Sequence, residues 1–131
     1  MGNSGAKWRL LCDDTLIARG VYRADDPGAR RSLLECADQL DEVWIASVAG
    51  PEQEAALAQL LAERWAIDPW FARTAAITGD LRNSYVEPAR MGVDRWLAML
   101  GARRRHRGRV CVIDAGSALT IDIVNLSLIH I

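Results

Sequence analysis

The segment Gly92-Val93-Asp94-Arg95 sets a carboxylate beside a guanidinium at an expected helix start, directly after a polar loop. A carboxylate so placed can accept the proton of a substrate hydroxyl. The neighbouring guanidinium can hold a substrate carboxylate in a forked hydrogen bond. The same spacing also suits a solvated Asp-Arg pair on a helix surface. Asp114-Ala115-Gly116-Ser117 follows an apolar run. It suits a cation-assisted phosphate site: glycine lets backbone approach a phosphate, serine offers a hydroxyl, and the aspartate faces a hard cation or its waters. It equally suits a tight turn between strands. Gly2-Asn3-Ser4 with Lys7 has a similar character, with Lys7 either a point charge for a phosphate or a surface lysine at a strand start. Neither a GxxxxGK[ST] loop nor a GxGxxG loop occurs.

Other residues read as structural. Arg103 to Arg109 holds five arginines. A nucleic-acid partner would use such a stretch, but the chain has 16 basic and 17 acidic residues and a net charge of −1, so a solvated loop is expected. Trp8, Trp44, Trp65, Trp70 and Trp96 are expected in the core. Cys12, Cys36 and Cys111 form no CxxC pair, which argues against a disulfide framework or a zinc site. Cys12 and Cys111 are expected as small core hydrophobes in a reducing cytoplasm.

Positioning these groups requires a folded domain, and 131 residues suffice for one domain or a piece of a larger one. Half of the chain is apolar, yet no run approaches the roughly 20 apolar residues that span a bilayer, so no membrane partner is expected. Lys7–Cys12 and Thr15–Tyr22 read as a hairpin. A helix is expected over Arg30–Leu40, a strand over Val43–Val48 and a helix from Pro51 through Trp65. A strand over Phe71–Ile77, a loop over Thr78–Pro88 and a helix over Ala89–Leu100 with Gly101 as its cap follow. Strands at Val110–Ile113 and Leu119–Val124 end the series. Alternating strands and helices indicate an α/β class with a partly parallel sheet.

The ends differ from the middle. Gly2-Asn3-Ser4 before the strand at Lys7 echoes Gly116-Ser117 before the strand at Leu119, but no strand leads into the first loop. Leu126–Ile131 departs from the preceding pattern and matches a translated sequencing-library adapter, so residues 126–131 are read as foreign to the fold.

Five ordered segments together resemble the type III pantothenate kinase family. They are Gly2-Asn3-Ser4-Gly5-Ala6-Lys7-Trp8, Trp44-Ile45-Ala46-Ser47-Val48, Asn83-Ser84-Tyr85-Val86-Glu87-Pro88, Gly92-Val93-Asp94-Arg95-Trp96, and Asp114-Ala115-Gly116-Ser117-Ala118-Leu119-Thr120-Ile121-Asp122. The resemblance implies an actin/hexokinase-like ATPase fold, related to ribonuclease H, with residues 1–102 as the N-terminal lobe and 109–125 as the start of the second. It implies transfer of the ATP γ-phosphate to pantothenate, the first step toward coenzyme A, with Mg²⁺ and K⁺ or NH₄⁺. It places Gly2, Asn3, Ser4, Lys7 and Ser117 at ATP, and Tyr85, Gly92, Val93, Asp94 and Arg95 at pantothenate. Asp94 falls on the proton acceptor and Asp114 on the monovalent-cation ligand. Family members are homodimers about twice this length whose first loop begins with an aspartate that here would precede Met1. The chain alone is therefore expected to be inactive. A non-catalytic regulatory protein on the same fold is the alternative.

Overall fold

The turn at Asp13-Asp14 closes the first hairpin with both residues at positive φ, 46° and 63°. That is the geometry of a two-residue type I′ turn, whose twist matches the strands it joins. It connects β1 (Ala6–Cys12) to β2 (Thr15–Tyr22) in antiparallel register, with a bulge between Leu10 and Leu11. Trp8 lies across Gly20, where a Cβ would come within 2.5 Å of the indole. Glycine is the residue that lets the ring lie flat on the partner strand. The computed structural model describes residues 5–116 and 118–125, divided into two compact units after Ala72.

In the first unit, Asp26 caps α1 (Pro27–Leu34) by accepting from the amides of Gly28 and Ala29, with Pro27 in the first turn. The expected continuation to Leu40 does not form. Arg64 donates to the carbonyls of Leu34, Ala37 and Asp38, and Trp65 to that of Ala37, so side chains occupy those acceptors. β3 (Trp44–Ile45), α2 (Pro51–Trp65) and β4 (Trp70–Phe71) form a βαβ crossover with β3 and β4 parallel, the expected parallel element. Tyr22, Leu57, Leu60 and Leu61 form the core.

The second unit begins with a short hairpin where a strand and then a loop were expected. It comprises β5 (Ile77–Thr78) and β6 (Leu81–Arg82), turning at Gly79 with φ 59°. A 3₁₀ turn at Pro88–Arg90 precedes α3 (Val93–Arg105). β7 (Val110–Ala115) and β8 (Leu119–Val124) pair antiparallel. Leu81, Met91, Trp96, Met99 and Val124 form this core.

Gly101 lies inside α3 and does not cap it, because Arg103, Arg104 and Arg105 suit the helix's negative end and continue it. The arginine stretch is thus partly helical. Arg103 donates to Asp80 at 3.0 and 2.7 Å and to the carbonyl of Arg107, which ties the stretch to the β5–β6 turn. The core reading of two tryptophans fails: Trp96 is 1% exposed, but Trp44 is 74% and Trp70 57% exposed, packed edge-on against each other at the strand pair. Cys12 and Cys111 are also exposed. Cys12 ends β1 at the turn, and Cys111 alternates with the inward Val110 and Val112.

Candidate functional site

Asn83 begins the site. Its buried side chain accepts from the Tyr85 amide at 3.0 Å, an Asx turn that sets the direction of the loop. The chain then passes the 3₁₀ turn to Met91, which is buried and whose carbonyl accepts from the Thr74 hydroxyl at 2.9 Å. Gly92 is the N-cap of α3 and buried Val93 anchors its first turn. These fixed points determine where the next two side chains emerge.

Asp94 is exposed in the first turn of α3, and its Oδ1 accepts from the Arg95 amide at 2.8 Å. Oδ2 of this exposed side chain has no hydrogen bond among the described contacts. An anionic carboxylate is favoured at this positive end of the helix. Such a group can orient a hydroxyl and take its proton.

Arg95 turns the other way. Its Nε donates to Asp122 Oδ2 at 3.0 Å and its Nη2 to Asp122 Oδ1 at 2.5 Å. Nη1 donates to the Tyr85 hydroxyl at 3.2 Å, and the guanidinium carbon lies 5.9 Å from the Tyr85 ring centre. Asp122 and then Tyr85 hold the guanidinium's proton more firmly than usual, so Arg95 is always a cation. The pair is largely buried, with side-chain exposures of 24% for Arg95 and 10% for Asp122.

Tyr85, Gly92, Val93, Asp94 and Arg95 thus come together around one helix start, and Arg95 is no free surface charge. Sequence reasoning gave Asn83 and Asp122 no role. The available signal for Asp122 was a charged residue inside the apolar run Leu119–Val124. Asp114 is exposed on β7 opposite Thr120, whose buried hydroxyl has no hydrogen-bond partner among the described residues. Among the described residues no three His, Cys, Asp or Glu side chains cluster to hold a metal ion. Lys7 is exposed on β1 in the first unit. Gly2, Asn3, Ser4 and Ser117 lie outside the described residues, as do residues 126–131. Among the described residues no helix is long and apolar enough to cross a membrane.

The fold is a mixed α/β arrangement in which a helix start gathers a carboxylate, a guanidinium and a phenol. A family model for type III pantothenate kinase matches residues 1–129, and the chain belongs to that family. It is 37% identical over 124 residues to a type III pantothenate kinase of Thiobacillus denitrificans, covering 95% of this chain and 49% of the relative. It is 37% identical over 128 residues to that of Alcanivorax borkumensis, covering 95% and 51%. Against that of Pseudomonas putida it is 33% identical over 132 residues, covering 99% and 53%. The chain therefore spans about half the length of the curated relatives it matches.

Proposed function

We propose that the full-length protein carrying this segment is a pantothenate kinase, transferring the ATP γ-phosphate to the primary hydroxyl of pantothenate. The observation that carries the reading is the convergence of Tyr85, Gly92, Val93, Asp94 and Arg95 at the start of α3. Asp94 Oδ2 takes the hydroxyl proton as that oxygen bonds to the γ-phosphorus, and ADP departs with the electron pair of the broken P–O bond. Arg95 and Tyr85 hold the remainder of the substrate.

Lys7, with Gly2, Asn3, Ser4 and Ser117, would contact ATP. Asp114 offers a hard carboxylate, which suits K⁺ or NH₄⁺. Mg²⁺ would arrive on the phosphates, because Mg²⁺ commonly needs few protein ligands beside them. We assign the actin/hexokinase-like fold to the whole protein, with 1–102 in the first lobe and 109–125 opening the second. The reading includes a cytoplasmic homodimer.

The test is pantothenate-dependent ADP formation by the full-length protein, with and without K⁺, beside Asp94→Asn. The variant is expected to lose about 10²- to 10⁴-fold in kcat while still binding pantothenate. A folded, K⁺-supplied protein with no turnover would leave the regulatory alternative.

A further inference from the structure

We propose that Asp122 is a positioning residue for pantothenate, setting the guanidinium of Arg95 and the Tyr85 hydroxyl in the orientation that recognises the substrate's carboxylate. This rests on the functional reading above. Asp122 lies on β8. Asp122 and Val124 are buried while Ile121 and Ile123 are 59% and 69% exposed, so the strand turns a carboxylate inward and isoleucines outward. Packing alone does not call for this, since a buried ion pair rarely outperforms apolar residues of the same volume.

The geometry shows what the carboxylate does. It grips Arg95 through Nε and Nη2 together, which fixes the plane of the guanidinium as one hydrogen bond would not. With that plane fixed, Nη1 meets the Tyr85 hydroxyl. An arginine has five N–H donors. Asp122 and Tyr85 engage three in the described contacts, and two remain for a ligand. Both Arg95 and Tyr85 keep exposed surface through which a ligand can reach them.

Asp122 also cancels the charge of Arg95. A ligand carboxylate is then held by directed hydrogen bonds, not by net attraction. Two opposed consequences of removing the Asp122 charge follow. Loss of orientation raises the pantothenate KM. A freed positive charge would lower it.

Asp122→Asn, nearly isosteric, is measured in the full-length protein with pantothenate and with its alcohol analogue, which lacks the carboxylate. The expected result is a rise of about tenfold in the pantothenate KM, the scale of one charge-assisted hydrogen bond. The kcat, the ATP KM and the KM for the alcohol analogue should stay within about twofold. Asp122→Glu, which keeps the charge but displaces the grip by one methylene, should lie between. It reads the same quantity if the asparagine variant does not fold. An unchanged or lowered pantothenate KM overturns the proposal, as does an equal rise for both substrates, which a merely structural role would give. Absent turnover in the unsubstituted protein overturns the kinase reading instead.

Discussion

The pair that joins α3 to β8 should fail asymmetrically. Asp122 is the more buried partner, at 10% side-chain exposure against 24% for Arg95. Arg95→Ala leaves a carboxylate on the inner face of β8 with both donors gone, a loss of about 3–5 kcal/mol. Asp122→Ala leaves a guanidinium that still reaches the Tyr85 hydroxyl and solvent, so about 2 kcal/mol is expected. Combining Arg95→Met with Asp122→Leu removes both charges and keeps the volume. That double variant should lie within about 1 kcal/mol of the unsubstituted protein. Native-state hydrogen exchange at the amides of α3 and β8 measures the second unit directly, since each amide reports the free energy of its own opening. If Asp122→Ala costs as much as Arg95→Ala, burial does not set the penalty. If the double variant falls by the sum of the two, the pair is worth more than a packed apolar contact, and the reasoning from desolvation is wrong.

Two further outcomes test the rest of the architecture. Trp96→Ala should cost about 3–5 kcal/mol in urea unfolding, because Trp96 fills the second core, whereas exposed Trp44→Ala should stay within about 0.5 kcal/mol; equal losses would contradict the core assignment. Arg103 holds the Asp80 carboxyl below its usual range, so the stability this pair adds is complete above the unfolded value of about 3.9 and is lost as pH falls through the lower folded value. Asp80→Asn should therefore flatten the acid limb of stability against pH, and an unaltered limb would show that the contact does not matter.

Local rules carried the sequence reading as far as local interactions decide structure. The hairpin at Asp13-Asp14, the Pro51 helix start and the strands at Val110 and Leu119 follow from turn chemistry and periodicity, and all are present. The misplaced end of α1 was set by a distant residue: Arg64, from α2, takes carbonyls on which a longer α1 depends. That contact spans 30 residues, so spacing cannot pair it. The end of α3 is held by Arg103, which bonds the nearby carbonyl of Arg107 and the more distant Asp80.

The candidate site divides along the same line. Tyr85 and Gly92 to Arg95 are near one another in the chain, so their type and order could be weighed without a fold. Asp122 lies 27 residues from Arg95, and alternation along Leu119–Val124 would put the isoleucines inside and the aspartate out. The observed strand is turned over, with Asp122 and Val124 facing the α3 side. A buried carboxylate selects that face only when a cation waits for it, because unpaired burial costs several kcal/mol, on the order of what the apolar contacts of a residue return. Arg95 is that cation. One carboxylate thus both faces inward from β8 and sets the plane of the guanidinium, which joins the packing of the strand to the geometry of the site.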